Sequence, residues 1–290
     1  MEHLRKGQIV KAVGGFYDVK TSTEVVRCRA RGLFRKQNIK PLVGDHVEFQ
    51  DDYVQNVLLR DNEMHRPPIA NVDQALLVVS IVQPALSSYL LDRLLVHTEA
   101  MDVEAVIVLT KADIASEEEL QQAAAIVRLY EALGYEVIQM FDDNTTERVK
   151  GALAGKTTVV AGQSGVGKST LLNRIDERLA LTIGEVSKHL ARGKHTTRHV
   201  ELLPVEGGQV ADTPGFSSLD FTGIELDVLA DCFIEIHETG KACKYRGCTH
   251  RKEDGCAVKA AVETEQIARS RYENYITFYT EKEEEERRRY

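Results

Sequence analysis

The sequence predicts an α/β protein in three parts: a five-stranded β-barrel over residues 1–68, a mostly parallel sheet with helices on both faces over 69–222, and a helical, metal-binding part over 223–290. Three observations predict this arrangement. Apolar residues alternate with period two through the first part, and buried-strand and helix patterns alternate through the second. Cysteines and a histidine then cluster near the end of the chain.

Five short alternating segments predict the barrel. Turn residues separate them at Gly14-Gly15, at Pro41 and Gly44, and at Asp51-Asp52. So many strands in about 60 residues fit an OB-fold most simply, and an SH3-like barrel is the alternative. The predicted strands are Gln8–Val13, Phe16–Lys20, Glu24–Ala30, Asp45–Gln50 and Tyr53–Arg60.

The barrel is the one basic part of an acidic chain. The formal net charge of −8 divides into +3 for residues 1–68, −8 for 69–222 and −3 for 223–290. Between Val25 and Gly44 there are cations and no acidic residue, with Phe34 among them. Cations that pair with phosphates and a ring that stacks on bases favour an RNA-binding loop, although a solvated basic loop explains the composition equally well. The cations are Arg27, Arg29, Arg31, Arg35, Lys36 and Lys40.

The second part begins after Arg66-Pro67-Pro68, a stiff break that predicts a domain boundary. A capping box at Ser116–Glu119 opens a helix that Gly134 ends, and Leu90–Thr98 forms another helix. Strands that alternate with helices in this way predict a parallel sheet. The predicted strands are Gln74–Ser80, Ala105–Leu109, Glu136–Met140 and Thr157–Ala161.

A phosphate-binding loop follows the last of these strands and precedes the apolar start of a helix at Leu171. Its glycines let successive amides turn inward, so that N–H groups and the helix N-terminus can hold phosphate oxygens. Lys168 would reach the β- and γ-phosphates, and the Ser169 hydroxyl would bind Mg²⁺. The predicted nucleotide-binding residues of this loop are Gly162, Gln163, Ser164, Gly165, Val166, Gly167, Lys168, Ser169 and Thr170.

A base-reading motif, Thr110-Lys-Ala-Asp113, stands at the end of the second predicted strand of the sheet. The Asp113 carboxylate can accept hydrogen bonds from N1–H and N2–H₂ of guanine, a donor pair that adenine lacks. The stem of Lys111 can lie against the purine. The motif therefore predicts selectivity for guanine nucleotides. Most such motifs begin with Asn, whereas Thr110 offers only a hydroxyl group to this site.

Two further segments complete the predicted nucleotide site. A polar stretch from Gly184 to Arg198 contains two threonines that could supply a second protein ligand to Mg²⁺, of which we favour Thr197 over Thr196. Asp212, at a predicted strand end, can hold a Mg²⁺-bound water, and the amide of Gly215 can bind the γ-phosphate.

The last part contains four soft ligands within fourteen residues. A Cys₃His set of this kind closes a tetrahedral Zn²⁺ site and leaves no open position, so the predicted metal is structural. The predicted ligands are Cys243, Cys248, His250 and Cys256. Cys28 and Cys232 are predicted to be buried thiols. Residues 262–280 are predicted to be helical, and Glu281–Arg289 is predicted to be a frayed, charged end.

The order of the motifs indicates a circular permutation. In an ordinary GTPase the phosphate loop comes first and the base reader last, whereas here residues 110–113 precede residues 162–170. With its phosphate loop, its His195-Thr-Thr197 and its Asp212-Thr-Pro-Gly-Phe216, the chain resembles the ribosome small subunit-dependent GTPase A family (RsgA, YjeQ or YloQ). The resemblance covers the barrel, the permuted GTPase part and the Cys/His tail.

The resemblance implies a Mg²⁺-dependent GTPase that binds GTP and GDP and acts in late assembly of the small ribosomal subunit. It also implies that the protein contacts the rRNA of this subunit and that the subunit stimulates GTP hydrolysis. Phe216 occupies the position where Ras-like enzymes place a water-orienting glutamine, so we expect slow intrinsic hydrolysis. The resemblance points to His195 as the residue that orients the water instead, and an RNA or solvent contact is the alternative role. A nucleotide-sensing, RNA-binding scaffold with little hydrolysis, and an ATP-using RNA-binding enzyme, are the competing functions.

Composition limits the setting in which the protein acts. The longest apolar runs are of strand length, and the first residues contain no apolar signal segment, so we expect neither a membrane anchor nor secretion. Clustered cysteines favour a metal site in a reducing compartment over disulfides. We therefore expect a cytoplasmic protein, and a monomer.

Overall fold

The computed structural model describes residues 4–36, 39–65, 67–139, 144–177, 200–205, 207–212, 221 and 223–289. The chain forms two compact units. The first unit comprises Met1–Leu76, Asp142–Ala161 and Gly167–Ser218. The second unit comprises Leu77–Phe141, Gly162–Val166 and Leu219–Tyr290.

The first unit contains the predicted five-stranded barrel. Strand β1 pairs with both β2 and β4, β2 pairs with β3, and β4 pairs with β5, all antiparallel, while β3 and β5 pair in parallel. The ring is therefore closed in the order β1-β2-β3-β5-β4, which is the OB arrangement and not the SH3-like alternative. The strands are β1 Arg5–Val13, β2 Phe16–Lys20, β3 Val25–Ala30, β4 His46–Gln50 and β5 Tyr53–Val57.

Alternation along these strands places one side of each in the barrel core. Ile9, Val19, Cys28, Phe49 and Val54 are fully buried. Burial raises the pKa of the Cys28 thiol to about 11, in agreement with a buried, unreactive cysteine.

Two predictions about the first part need correction. The last barrel strand ends at Val57, before the predicted Arg60, because the Arg60 side chain turns inward to Asp45, with its Nε 2.7 Å from Oδ1 of that fully buried carboxylate. Phe34 lies on a short helix, α1 (Gly32–Lys36), and is only 5% exposed, so it cannot stack on bases as the basic loop required.

A small hairpin follows the barrel where the sequence predicted a break. Its strands are β6 Glu63–His65 and β7 Pro68–Ala70, and Pro67 lies in its turn. Gly44 touches this hairpin, because a Cβ there would lie 1.9 Å from the Ala70 carbonyl oxygen. Gly44 also has a φ of +91°, so it is a glycine for two independent reasons.

The rest of the first unit extends the same sheet. Strand β11 (Thr157–Ala161) pairs in parallel with β13 (Gly208–Asp212), which pairs antiparallel with β12 (Glu201–Val205). Strand β12 in turn pairs with barrel strand β1 at Lys11 and Glu201, which also form a 2.6 Å ion pair. Besides α1, the described part of this unit contains the helices α4 Asn144–Leu153 and α5 Lys168–Ile175.

The second unit contains strands in the order β10-β9-β8, with β9 and β10 parallel. The predicted capping box is confirmed at the start of α3: Ser116 accepts from the N–H of Glu119, whose carboxylate accepts from the N–H of Ser116. The unit contains β8 Gln74–Ser80 (from Leu77 on), β9 Glu104–Thr110, β10 Glu136–Gln139, α2 Ser88–Glu99 and α3 Glu117–Ala132.

The C-terminal part of the second unit is helical, but the predicted helix over residues 262–280 is wrong in part, because residues 264–268 interrupt it and Glu265 there has a φ of +61°. Its helices are α6 Ile234–Gly240, α7 Ala257–Glu263 and α8 Arg269–Arg289. The predicted frayed end is wrong, since α8 continues through it. Lys282 is buried and donates to the carbonyl of Phe221, which anchors the helix in the segment predicted to fray. Among the described helices, none combines the length and the apolarity needed to cross a membrane.

Candidate functional site

The phosphate loop has the backbone that its sequence requires. It follows the buried strand β11 and leads directly into α5, whose N-cap is Gly167 at a φ of +100°. Gly162 has a φ of +140°, and a Cβ there would lie 2.1 Å from the carbonyl oxygen of Val78 on β8. The loop can therefore start only with glycine at this position.

One side of the loop is open and the other is anchored. Gln163, Ser164 and Gly165 are exposed, as are Ser169 and Thr170 in the first turn of α5. Val166 is only 2% exposed. An exposed loop that ends at a helix N-terminus offers amide N–H groups and a partial positive charge to an anion.

Lys168 is the first residue of α5 and is half-buried. Burial lowers the pKa of its amine, because a charged ammonium group loses hydration there. Phosphate oxygens beside this amine would favour its charged form and offset that cost. The lysine is therefore placed to gain from an anionic ligand.

The base-reading motif is tied to the phosphate loop inside the second unit. Thr110 ends β9, is 6% exposed, and donates its hydroxyl hydrogen to the carbonyl oxygen of Val166. Sequence reasoning missed this role, because it assigned the hydroxyl to the base. The hydrogen bond joins residues 56 positions apart. No local pattern reveals such a contact.

The other two side chains assigned to the base, those of Lys111 and Asp113, follow in a single tight turn. Lys111 adopts a left-handed conformation, with a φ of +61°, and its amine donates to the carbonyl of Gln83. Asp113 lies in a 3₁₀ turn, Ala112–Ile114, and is exposed. The carboxylate of Asp113 has no hydrogen bond or ion pair with any residue in the described ranges, so it is available to a ligand.

Asp212 is the last residue of β13, beside β11 in the first unit, where Val159 is opposite Ala211. Asp212 is thus on the strand directly beside β11, which leads into the phosphate loop. Several predicted residues lie outside the described ranges. They are His195, Thr196, Thr197, Gly215 and Phe216.

The predicted metal ligands come together in the second unit. The four ligand atoms of Cys243, Cys248, His250 and Cys256 all lie within 4.8 Å of one another. The sulfurs of Cys243 and Cys256 are 3.8 Å apart, and Nδ1 of His250 is 3.5 and 3.4 Å from them. A tetrahedron with metal–sulfur bonds of about 2.3 Å has edges of about 3.8 Å, so these atoms fit Zn²⁺.

Two of the four ligands, Cys243 and His250, have pKa shifts that suit a metal, whereas burial raises the pKa of the Cys248 thiol to about 12. Burial opposes a charge on Cys243, but backbone N–H groups of Ala257 and Val258, at the start of α7, outweigh it and lower the pKa of the thiol. Burial also lowers the pKa of His250, which keeps its imidazole neutral. A thiolate and a neutral imidazole are the forms that bind metals.

The loop between the ligands is supported by a carboxylate and two tyrosines. Glu253 accepts hydrogen bonds from both the N–H and the hydroxyl of Thr249, at 2.8 and 2.7 Å. Although burial opposes it, this hydrogen bonding lowers the pKa of Glu253 to about 2. Tyr272 and Tyr275 donate to the carbonyls of His250 and Thr249.

A buried ion network joins the C-terminal helices of the second unit to helix α2. Arg271 on α8 is 1% exposed, and its Nη1 is 2.5 Å from Oδ1 of the fully buried Asp92 on α2. The same guanidinium binds Glu235 on α6 through two hydrogen bonds, of 2.7 and 2.9 Å. Asn274 and Tyr130 also donate to Asp92. Sequence reasoning missed this network, since its partners are up to 182 residues apart.

The exposed cations of the barrel lie beside aromatic rings other than Phe34. Phe16, Arg29 and Tyr53 stand opposite one another on β2, β3 and β5. The guanidinium groups of Arg27 and Arg29 each lie 4.8 Å from the Phe16 ring centroid, and Tyr53 is 42% exposed. This aromatic and cationic row was missed because it crosses three strands.

Comparisons with known proteins agree with these observations. A family model described as RsgA GTPase matches residues 55–222, and one described as RsgA N-terminal domain matches residues 6–56. The small ribosomal subunit biogenesis GTPase RsgA 2 of Listeria monocytogenes is 51% identical over 283 residues, covering 96% of this chain and 97% of that protein.

Two solved structures share the fold. One is YloQ, described as a circularly permuted GTPase, which has a TM-score of 0.83 and 42% identity and covers 98% of this chain and 96% of its own. The other is YjeQ from Thermotoga maritima, with a TM-score of 0.84, 36% identity, and coverage of 97% and 99%. The order of base reader and phosphate loop in this chain is thus that of a circular permutation.

Proposed function

Because the chain belongs to the RsgA GTPase family, we propose that it is a GTP hydrolase that binds the small ribosomal subunit and acts late in its assembly. The observation that carries this proposal is the bond from Thr110 to the carbonyl of Val166, which holds a guanine-reading motif against a phosphate loop. The Listeria protein's name supplies the process and the subunit.

Asp113 reads the base in this proposal. Its carboxylate is exposed and accepts from N1–H and N2–H₂ of guanine, while the stem of Lys111 lies along the purine. ATP offers no such donor pair. The protein therefore binds GTP and GDP and discriminates against ATP.

The phosphates and Mg²⁺ are held by the loop and its neighbours. Lys168 contacts the β- and γ-phosphates, whose negative charge offsets the desolvation that lowers the pKa of its amine. Ser169 and Thr197 are the protein ligands of Mg²⁺, Asp212 holds a Mg²⁺-bound water, and the Gly215 amide meets the γ-phosphate.

Catalysis depends on the partner. Phe216 cannot orient the attacking water, so free protein hydrolyses GTP slowly. His195 orients the water when the subunit binds, which makes hydrolysis responsive to the small ribosomal subunit.

The Cys₃His cluster holds one structural Zn²⁺. Its ligand distances and its low thiol pKa at Cys243 support this assignment. The barrel row of Phe16, Arg29 and Tyr53 contacts rRNA by stacking and phosphate pairing. The protein acts as a monomer in the cytoplasm, where small subunits are assembled.

The test is multiple-turnover hydrolysis with and without purified small subunits, using GTP and ATP as parallel substrates. We expect slow GTP hydrolysis alone, strong stimulation by subunits, and no ATP hydrolysis. Equal rates with and without subunits would favour the scaffold function instead. The His195→Ala variant should keep GDP affinity and lose stimulation, and full stimulation in that variant would exclude the catalytic role of His195.

A further inference from the structure

We propose that Tyr245, in the loop between the first two metal ligands, is a stacking platform for an unpaired RNA base. This inference rests on the proposed function, because the RNA is that of the small ribosomal subunit. It adds a second RNA contact, on the tail, which is distinct from the barrel row.

Tyr245 has an unusual environment for an aromatic residue. It is 49% exposed, and among the described residues only Tyr53 is another strongly exposed aromatic side chain. Tyr272 and Tyr275 of α8, by contrast, use their hydroxyls to hold the carbonyls of His250 and Thr249. Tyr245 supports no part of the cluster in this way, so the fold does not explain its exposed ring.

The charges around this ring suit a polyanion. The amine of Lys244 lies 5.2 Å from the ring centroid, and Arg246 follows on the other side in sequence. Neither cation forms an ion pair with a residue in the described part of the chain. The carboxylate of Glu253 is engaged by the backbone N–H groups of Thr249 and Arg251 and forms no ion pair with either cation among the described residues.

The loop is short and held at both ends. Cys243 and Cys248 both belong to the ligand cluster, and only four residues separate them. Gly247 has a φ of +70°, which permits the turn back toward Cys248. A ring fixed on such a loop loses little conformational entropy on binding, which favours stacking on a base.

RNA fits these features better than a protein partner does. A ring that lies between two cations in sequence, one of them against it, matches a base flanked by two phosphates. Base stacking on aromatic side chains is how proteins commonly read single-stranded RNA. The contact would be tolerant of sequence, since every base presents a flat face.

The test uses the full zinc-loaded chain and measures binding to small subunits and to a single-stranded oligouridylate. Tyr245→Ala should bind both about tenfold more weakly, with an unchanged salt dependence. Tyr245→Phe should bind like wild type, because it keeps the ring. A double Lys244→Ala, Arg246→Ala variant should weaken binding and reduce its salt dependence.

The controls separate stacking from damage to the fold. Val228→Ala, an exposed apolar residue of the same unit, should bind like wild type. Zinc content, melting temperature and intrinsic GTP hydrolysis should be unchanged in Tyr245→Ala, since the ring supports no other residue.

Three results would overturn the inference. Wild-type affinity in Tyr245→Ala would remove the contact, and weak binding in Tyr245→Phe would assign the contact to the hydroxyl. A loss confined to subunits, with oligouridylate binding intact, would place a ribosomal protein on the ring. If wild-type protein itself failed to bind subunits, the proposed function would fail first, and this inference would fail with it.

Discussion

Thr110 shows that a residue can be assigned to a motif from the sequence while the role of its side chain cannot. The motif Thr110-Lys-Ala-Asp113 could be located from sequence because it follows a buried strand. The partner of the Thr110 hydroxyl, the carbonyl of Val166, could not be predicted, since the two meet only when β9 lies beside the phosphate loop. Phe34 is a similar case. Its position among cations was compatible with an RNA contact, but its side chain is buried and cannot make one.

Thr110→Val should destabilise the protein and weaken GDP binding, because it leaves a buried carbonyl without its donor. We expect a loss of about 1–3 kcal/mol in the free energy of unfolding, measured by urea titration, and a several-fold higher dissociation constant for GDP. Thr110→Ser is the matched control and should stay close to wild type. Equal GDP affinity in Thr110→Val and Thr110→Ser would show that this bond does not position the loop.

Elements with strong local signals were predicted most accurately. Helix α3 was found from its capping box and its glycine stop, and the barrel from its alternation and turns. The end of α8 was predicted wrongly. A run of charged residues predicts a solvated segment, whereas Lys282 is anchored by a hydrogen bond to the carbonyl of Phe221, 61 residues earlier in the chain. Local sequence patterns therefore predict which helices and strands form, whereas contacts between residues far apart in the sequence determine where they end.

Ser116→Ala should destabilise the protein by about 1 kcal/mol, because the N-cap hydroxyl accepts the Glu119 amide. Hydrogen bonds from Ser116 lower the pKa of Glu119. Because the pKa of Glu119 is lower in the folded state, its ionised carboxylate stabilises that state above the unfolded pKa of about 4.3. This stabilisation is lost as the pH falls through the folded pKa. Urea titrations should therefore show the difference in the free energy of unfolding between wild type and variant narrowing below about pH 4.3; a constant difference would contradict the hydrogen bond from the Ser116 hydroxyl to the Glu119 carboxylate.

The cluster near the C-terminus should contain one zinc per chain, measured by atomic absorption. Cys243→Ser should lose the metal and lower the melting temperature, because three ligands cannot close a structural site. Cys232→Ser is the matched control: this thiol is buried, lies outside the cluster, and its loss should leave zinc content unchanged. Full zinc content in Cys243→Ser would remove that residue from the ligand set.

At the scale of the whole molecule, the permutation could be predicted from motif order alone. The grouping of the tail with the base-reading part could not, because it depends on ion pairs between residues far apart in sequence. Asp92, Arg271 and Glu235 come from three helices of the second unit. This network joins the tail that carries the Cys₃His cluster to the part of the second unit that contains residues 110–113.

Arg271→Met should destabilise the protein by about 3–5 kcal/mol, because it leaves the buried Asp92 carboxylate without its cation. Arg287→Met, on the exposed surface of the same helix, is the control and should change stability by less than about 0.5 kcal/mol. Both values come from urea titration. A small effect of Arg271→Met would mean that the network does not hold the tail in place.

The central claim is that residues 110–113 and residues 162–170 serve one guanine nucleotide across the permutation. Subunit-stimulated hydrolysis by Asp113→Asn tests it most directly, with GTP and xanthosine triphosphate as substrates and Asp102→Asn as control. An asparagine amide donates to the 2-oxo group of xanthine but cannot accept both guanine donors. We predict that the variant loses stimulated hydrolysis of GTP and gains that of xanthosine triphosphate, while the control keeps GTP. Undiminished GTP hydrolysis in Asp113→Asn would contradict the claim.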